Sequence, residues 1–196
     1  DYSYDPNGNT LSELRSTLRT ADLNLGQSLT LDETLDGATL YRYDGFNRQA
    51  QVRTGETVAQ YAYRPDGLRQ SVTVDGETTT HIWDGSNIVM DVKADNSVNK
   101  YVRGIGLIAM SGAGPGSGRE YCLFNAHGDV TGLASASGAL TRSYDYDAFG
   151  NLLREDAIGD AADGNPFRYC GEYFDSSSGS YYLRNRYYSP GTGRFT

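Results

Sequence analysis

Aromatic residues recur along this chain at a spacing of 20 residues, and this period constrains the fold more than any other feature of the sequence. A fixed period indicates a repeat architecture in which each unit is one small supersecondary element. Twenty residues are enough for two strands of roughly seven residues and two tight turns. Less regular copies stand at Tyr2 and Tyr144. The starts that keep the register are Tyr41, Tyr61, His81, Tyr101 and Tyr121.

The first half of each repeat has the pattern of a strand followed by a turn. Tyr41 and Tyr43 are two residues apart, so in a strand their side chains lie on the same face. Asp44 and Gly45 follow at once, and both residue types tolerate the positive φ that tight turns require. The pattern therefore predicts a strand that ends in a turn at each aromatic pair.

The second half of each repeat has the composition of a returning strand. Arg69–Val74 and Asn87–Val92 contain several β-branched residues, which strands favour. Asp75-Gly76 and Asp95-Asn96 then supply hairpin turns. A single hairpin is unstable alone, so the hairpins must stack side by side. The sequence predicts an all-β fold in which stacked β-hairpin repeats form a curved, mostly antiparallel sheet.

Three segments depart from the repeat. Leu11–Leu25 has leucines near helical spacing, but its threonines favour a strand–turn–strand structure over a helix. Ser111–Gly118 is rich in Gly, which predicts a loop between strands. Ala157–Asn165 predicts a second loop for the same reason.

The composition bounds the class of protein. The 24 glycines and 16 tyrosines suit a sheet with many tight turns. The apolar runs are too short for a membrane-spanning helix, and we expect no signal peptide at the start of the chain. A net charge of −8 argues against a nucleic-acid partner. Cys122 and Cys170 permit at most one disulfide, and whether they pair stays open.

A six-residue motif and an aromatic tail are the most specific segments of the chain. Tyr4–Asn9 and Tyr146–Asn151 both have the sequence Tyr-Asp-x-x-Gly-Asn, and the tail from Phe167 to Phe195 is dense in Tyr, Arg and Phe. Together they resemble the repeat and the associated core of the rearrangement-hotspot (Rhs) or YD-repeat family, over essentially the whole chain. The residues that carry the repeat signature are Tyr4, Asp5, Gly8, Tyr43, Asp44, Tyr63, Trp83, Asp84, Tyr146, Asp147 and Gly150.

The resemblance implies a shell. In related bacterial polymorphic toxins, and in the similar C components of Tc toxins, such repeats wind into a β-sheet cocoon around a toxic C-terminal segment. For this chain the resemblance implies a repeat region over residues 1–156 and a core tail over residues 157–196, in one continuous domain. The family's autoprotease Asp-Pro motifs are absent from this sequence. We therefore expect a structural module that is not an enzyme and uses no cofactor.

The resemblance also implies partners and a compartment. The partners are the remainder of the shell and its toxin cargo, and the protein is expected to be bacterial, secreted or at the cell surface, and exported as part of a larger protein. A short array leaves open sheet edges, so we expect the isolated chain to self-associate or to bind a partner strand. One alternative is a cell-surface module that binds a glycan or a protein through Tyr-rich β surfaces. Another is a remnant of the autoprotease core.

The aromatic tail contains a candidate interface. Tyr and Arg are the residue types of interaction hot spots, which favours a docking face for cargo or for neighbouring shell. The same types also pack within sheets through cross-strand and cation–π contacts, so both interpretations stay open. The candidate residues are Arg168, Tyr169, Tyr181, Tyr182, Arg184, Arg186, Tyr187, Tyr188 and Arg194.

One group of residues has the types needed for nucleophilic catalysis. Cys122, His127 and Asp129 supply a nucleophile, a base and a residue that would orient the base. Nothing in their spacing fixes the geometry, and the segment is expected to be an ordinary turn between strands. The sequence therefore predicts no catalytic residue.

Two further groups have simpler explanations. Asp145 and Asp147 share a strand face in an ideal strand, as paired carboxylates of glycosidases do, but the repeat signature explains them. Asp5, Asn7 and Asn9 begin like a calcium loop, yet the later Gly and Glu of such a loop are missing. The sequence therefore predicts neither a metal ligand nor a cofactor-binding residue.

Overall fold

A computed structural model describes residues 2–14, 38–112, 118–157 and 164–196. Its main feature is an antiparallel sheet in which successive strands are neighbours from the first to the last. The bounds are β1 Tyr2–Tyr4, β2 Thr10–Leu14, β3 Ala38–Tyr43, β4 Gln49–Thr54, β5 Thr57–Tyr63, β6 Arg69–Val74, β7 Glu77–Asp84, β8 Asn87–Val92, β9 Val98–Arg103, β10 Leu107–Ser111, β11 Arg119–Phe124, β12 Val130–Ser135, β13 Leu140–Tyr146 and β14 Leu152–Ala157.

The last segment of the chain forms a second, smaller antiparallel sheet. It follows a short 3₁₀ turn at Tyr169–Gly171. Within the described ranges, no helix is long and apolar enough to cross a membrane. The strands of the small sheet are β15 Tyr173–Asp175, β16 Ser180–Tyr182, β17 Tyr187–Ser189 and β18 Arg194–Phe195.

The predicted fold class is confirmed. From β3 to β10 the chain makes one hairpin for each 20-residue repeat, with Tyr41, Tyr61, His81 and Tyr101 on alternate strands. Thr10–Leu14 is a strand, as expected, whereas the rest of Leu11–Leu25 lies outside the described residues. The predicted loops also lie partly outside them. The domain boundary after residue 156 stays a prediction.

The Tyr-Asp-x-x-Gly-Asn motif forms a five-residue turn with a left-handed residue in fourth place. In the last copy, the Asp147 N–H donates to the Asn151 carbonyl, and the Gly150 N–H donates to the Asp147 carbonyl. The φ of Gly150 is +87°. This is a type I turn followed by a bulge, which matches the right-handed twist of the strands. The Asp147 carboxylate accepts the N–H groups of Phe149 and Asn151, which explains the acid in the motif.

Two turns differ from the sequence-based expectation. In the turn after β3 the left-handed residue is Asn47, with φ +64°, and not Gly45, because the fourth position of the five-residue turn carries the positive φ. After β7 the turn is shorter: Asp84 is still paired with Asn87 in the sheet, and Gly85 supplies the positive φ. The repeat therefore tolerates two turn lengths without losing its register.

Before three of the described turns, an aromatic side chain ties one hairpin to the hairpin before it. The Tyr63 hydroxyl donates to the Gln49 carbonyl at 2.7 Å, and the Tyr146 hydroxyl donates to the Val130 carbonyl at 2.9 Å. The Trp83 indole N–H donates to the Arg69 carbonyl at 2.8 Å. Each donor satisfies a carbonyl beside a bulge, where the strand ladder is interrupted.

One face of the long sheet carries the core, and the small sheet lies against it. Aromatic and aliphatic side chains alternate with polar ones along the strands, so each strand contributes one buried face. Toward the start of the sheet the buried cluster contains Tyr41, Val52, Ala59, Tyr61 and Val72. Farther along it contains Ile88, Tyr101, Leu107, Met110, Val130, Leu133, Tyr144 and Phe167.

The long sheet is strongly curved around the small sheet. Tyr181 and Tyr182 are adjacent in β16, yet the Tyr181 hydroxyl donates to the Gly150 carbonyl, while the Tyr182 hydroxyl accepts the Arg69 N–H. Gly150 follows β13 and Arg69 begins β6, so in a flat sheet these strands would be about 34 Å apart. Two side chains of one short strand do not span that distance. The long sheet therefore curls until both regions contact the small sheet, and the predicted curvature is confirmed.

Gly150 is needed for this docking as well as for its turn. A Cβ atom at Gly150 would lie 2.6 Å from the ring of Tyr169, whose hydroxyl is anchored on the Ala148 carbonyl. A Cβ atom at Gly76, which has nearly the same φ of +91°, would meet nothing within 4 Å. The two positions therefore share the same backbone requirement and differ in packing.

We expect Gly76→Ala to lower the free energy of unfolding by about 1–2 kcal/mol, because an L-residue is strained at positive φ. Gly150→Ala should cost about 1–3 kcal/mol more, because the added methyl group displaces the Tyr169 ring. Urea unfolding of both variants measures the difference. Equal losses would show that the contact between Tyr169 and the turn does not restrict this position.

Candidate functional site: a buried arginine between two sheets

The two sheets meet at a fully buried ion pair. Arg69, the first residue of β6, has no exposed surface, and its Nη1 donates to the Asp175 Oδ2 at 2.7 Å. Asp175 ends β15 and is itself buried. Moving both charges out of water carries a penalty of several kcal/mol per ion, so such a pair is stable only when its remaining groups are also satisfied. Nε and Nη1 of Arg69 are hydrogen-bonded, whereas its buried Nη2 has no hydrogen-bond partner among the described residues.

Tyrosine rings surround the guanidinium. The Arg69 Cζ lies 4.4 Å from the ring centroid of Tyr182 and 5.1 Å from that of Tyr173, both on the small sheet. The ring of Tyr61, on the long sheet, is 5.5 Å away. The Tyr187 hydroxyl accepts a hydrogen bond from Nη1 at 3.3 Å. Aromatic faces attract a cation most strongly where water is excluded, so this cage favours the charged guanidinium.

A second buried pair extends this network along the long sheet. The Arg69 Nε–H donates to the Nε2 of His81 at 3.1 Å, and the opposite ring nitrogen of His81 lies 2.6 Å from the Asp91 Oδ1. Nε2 must accept, so the proton resides on Nδ1 and the imidazole is neutral. The other oxygen of Asp91 accepts hydroxyl hydrogen bonds from Tyr101 and, across the junction, from Tyr173.

The surroundings shift the pKa values of these groups in the directions that this network requires. Burial lowers the pKa of His81, and the charge of Arg69 lowers it further. Burial works against the charged form of Asp91, but hydrogen bonds from His81, Tyr101 and Tyr173 outweigh it and lower its pKa. For Arg69, the effect of burial is outweighed by Tyr187 and Asp175, which raise its pKa well above the usual range. Near neutral pH these shifts favour a charged Arg69, a charged Asp91 and a neutral His81.

The predicted aromatic and arginine residues of the tail lie mainly within the protein. Tyr181, Tyr182 and Tyr187 are buried between the sheets. The Arg168 guanidinium lies 4.9 Å from the ring centroid of Tyr144 and is bonded to Glu155. The more peripheral members have local partners. The hydroxyls of Tyr169 and Tyr188 donate to the Ala148 and Phe149 carbonyls. Arg184 pairs with the Glu172 carboxylate, Arg186 lies over the Phe195 ring, and Arg194 is exposed on β18.

The repeat-signature residues lie at one end of the strands of the long sheet. Each lies at the end of an odd-numbered strand or in the turn that follows it. Most of the paired tyrosines face the core, which gives no support to the alternative that they stack on a glycan. The placements are Tyr4 on β1 with Asp5 and Gly8 in its turn, Tyr43 on β3 with Asp44, Tyr63 on β5, Trp83 and Asp84 on β7, and Tyr146 on β13 with Asp147 and Gly150.

The groups considered for catalysis are arranged differently from the expectation. Cys122 is a free thiol on β11, and burial raises its pKa to about 12. The thiol beside His127 is instead that of Cys170, also free, whose Sγ lies 3.9 Å from the His127 Nδ1. Asp147 lies in a turn after the strand that holds Asp145, so the two do not form an ideal pair on one strand.

The sequence reasoning missed Arg69, Asp91 and Asp175. Gln49, which is 20 residues before Arg69, is likewise buried, so the two positions are equivalent in the repeat, but their burial is visible only in the structure. Asp91 lies opposite His81 on the neighbouring strand of the long sheet, and only its bond from Tyr173 depends on docking of the small sheet. Asp175 and Arg69 come together only through that docking.

Known proteins resemble this chain in sequence. It is 33% identical over its whole length to the tRNA3(Ser)-specific nuclease WapA of Bacillus spizizenii and 32% identical to the tRNA nuclease WapA of Bacillus subtilis. It is 25% identical, over 99% of its length, to the double-stranded DNA deaminase toxin A of Burkholderia cenocepacia. The chain spans 9% of each nuclease and 15% of the deaminase toxin. No family model matches it.

Solved Tc toxin structures share the fold. A crystal structure of TcdB2-TccC3-Cdc42 matches 80% of this chain and 9% of its own chain, with a TM-score of 0.67 and 17% identity. The Photorhabdus luminescens Tc holotoxin pore matches 80% of this chain and 8% of its own, with a TM-score of 0.64 and 18% identity. The long curved sheet is thus an arrangement already seen in Tc toxin assemblies.

The comparisons correct one expectation. We expected a protein that is not an enzyme, and this is wrong, because curated relatives that match 84–100% of the chain are named nucleases. The expectation that nucleic acid is not a partner stays a prediction, and the names of these relatives oppose it. The net charge did not predict these names, because the charge is that of one segment whereas the names belong to much longer proteins.

We expect Arg69→Met to lower the free energy of unfolding by about 3–5 kcal/mol, because it leaves the Asp175 carboxylate buried without its cation. Adding Asp175→Asn to this variant should recover part of the loss, since the second change removes the uncompensated charge. Arg64→Gln, which breaks an exposed pair with Asp66, should cost less than about 1 kcal/mol. Urea unfolding of the full cycle measures the coupling, and strictly additive losses for Arg69 and Asp175 would contradict it.

Stability should also fall on acidification from pH 7 to pH 5. The folded state lowers the pKa of His81 below its ordinary value of 6.5, so the unfolded chain binds a proton that the folded chain does not. One proton limits the slope to about 1.4 kcal/mol per pH unit. The free energy of unfolding of His81→Gln should no longer show this dependence on pH, whereas that of His127→Gln, a change at an exposed site, should still show it. A slope that survives His81→Gln would assign it to other groups.

Proposed function

We propose that this chain is a wall segment of a shell that encloses the nuclease of a secreted bacterial toxin. The sheet forms a curved barrier, and the small sheet fixes its curvature from the inner side. The shell keeps the nuclease from its substrate until release, and tRNA is the substrate class that the names of the relatives suggest. The proposed partners are the remaining shell and the enclosed nuclease.

The observation that carries this proposal is the wrapping of the long sheet around the small one. Side chains on β16 contact β6 on one side and the turn after β13 on the other, so the curl closes around a filled interior. Among the described strands, β1 and β14 each pair on one side only. These edges offer backbone groups to which neighbouring strands of a larger wall add by ordinary pairing.

The range of relatives supports a role in packaging. A stretch similar to this chain occurs in proteins named for two different reactions, cleavage of tRNA and deamination of double-stranded DNA. A segment shared by both supplies something that the two toxins need in common. The Tyr-Asp-x-x-Gly-Asn turns and the Tc-like fold favour membership of the Rhs or YD-repeat family, whose shells enclose toxic segments.

The test uses the whole protein that carries this sequence, assayed for cleavage of total tRNA. We expect the intact protein to be nearly inactive, and Arg69→Met to raise its activity at least tenfold by loosening the wall. Arg64→Gln is the matched control, because it removes an exposed arginine and leaves the junction intact. Limited proteolysis should release activity from the intact protein as well.

Two outcomes would overturn the proposal. Equal activity of intact protein, Arg69→Met and protease-treated protein would show that nothing is enclosed. Cleavage of tRNA by the 196-residue chain alone would show that the nuclease activity resides in this chain and not in a segment that the shell encloses. Protein content and folding of each sample are checked by circular dichroism, so that a change in activity is not confused with loss of protein.

A further inference from the structure

Three potential metal ligands converge where a repeat turn of the long sheet meets the chain entering the small sheet. His127 and Asp129 belong to the turn between β11 and β12, and Cys170 lies in the 3₁₀ turn before β15. The His127 Nδ1 is 2.9 Å from the Asp129 Oδ1 and 3.9 Å from the Cys170 Sγ. All three donor atoms lie within 4.8 Å of one another. We propose that they bind Zn²⁺ and that the ion fastens the two elements together.

Hydrogen bonds from the backbone N–H groups of all three ligand residues hold these residues in place. The Asn125 side chain accepts the N–H groups of His127 and Asp129, which fixes the turn. The Asp129 Oδ1 accepts the Cys170 N–H at 2.8 Å, and Cys170 has a φ of +53°. The site is thus built from parts that the fold already positions, which reduces the ordering that a metal ion would have to impose.

The donor set suits zinc. Thiolate, imidazole and carboxylate are its usual protein ligands, with bond lengths of about 2.0–2.3 Å and tetrahedral angles. Such a centre separates its donor atoms by about 3.3–3.8 Å, so the observed arrangement closes around an ion with shifts of about 1 Å or less. Calcium and magnesium prefer sites made of oxygen alone. His127 and Cys170 are exposed, so solvent has access to complete the coordination.

The geometry favours metal binding over nucleophilic catalysis. In a Cys–His–Asp relay, one ring nitrogen contacts the thiol and the other contacts the carboxylate. Here the same nitrogen, Nδ1 of His127, is the one near both Asp129 and Cys170. A proton cannot be passed through the ring in this arrangement. Three donor atoms within 4.8 Å of one another are instead close enough to share one metal ion.

Zinc at this site would strengthen the docking of the small sheet. The two backbones already approach closely here, since the Val130 N–H donates to the Arg168 carbonyl at 3.0 Å. An ion that binds the folded state alone shifts the folding equilibrium toward it. Gly150 belongs to the next turn at the same end of the long sheet's strands that contacts the chain entering the small sheet.

The test is a titration of the reduced, metal-free chain with Co²⁺ and then Zn²⁺. We expect Co²⁺ to give a near-ultraviolet thiolate-to-cobalt absorption band, and Zn²⁺ to displace it. Cys170→Ser should abolish the band and weaken Zn²⁺ binding at least 100-fold, since even outer-shell changes cost 10–100-fold. Cys122→Ser removes the other thiol and should behave like the unaltered chain.

Thermal unfolding gives a second readout. Zn²⁺ should raise the unfolding midpoint of the unaltered chain and of Cys122→Ser, but not that of Cys170→Ser or His127→Gln. Without metal, Cys170→Ser should unfold close to the unaltered chain, because the side chain is exposed and the shape is conserved. Zn²⁺ binding that is unchanged in Cys170→Ser, or that shows no thiolate band with Co²⁺, would reveal an adventitious ion only and overturn the proposal.

Discussion

The junction of the two sheets depends on the buried cation of Arg69. The Arg69 guanidinium has no contact with solvent, and its charge is balanced by Asp175 and by the rings of Tyr61, Tyr173 and Tyr182. These groups come from both sheets, so neither sheet alone can satisfy the charge. Without the small sheet, the Arg69 guanidinium loses Asp175 and the rings of Tyr173 and Tyr182 and requires water in their place. Docking of the small sheet therefore stabilises the region of the long sheet that holds this charge.

The repeat turn has a local role and a tertiary role. Locally, the Asp147 carboxylate satisfies two N–H groups, and Gly150 supplies the positive φ. At the tertiary level, the missing side chain of Gly150 admits Tyr169, and the Asp129 carboxylate of another turn accepts the Cys170 N–H. The turn motif thus also forms part of the surface on which the chain entering the small sheet docks.

The sequence was sufficient to predict the strands, because the period of 20 and the turn residues are local properties. It was not sufficient for Arg69. Counting in twos from buried Val72 places Gln70 on the core face and Arg69 on the other, yet Arg69 is buried and Gln70 exposed. The register shift opposite Tyr63 reverses the alternation at this point. The sequence left open whether Cys170 pairs with Cys122, and it missed His127 as the neighbour of Cys170 for a related reason: the two are 43 residues apart and meet only through tertiary docking.

The small sheet also changes how a stacked array resists opening. In a simple repeat array each hairpin contacts only its neighbours, so the ends fray and local opening costs little free energy. Here Tyr182 holds β6 and Tyr181 holds the turn after β13, which makes distant hairpins depend on the same short strand. Opening the curl at β6 then disturbs both the buried network of Arg69 and the strand that holds the turn after β13. A one-dimensional array thereby gains coupling between distant hairpins, which is the property that the proposed wall requires.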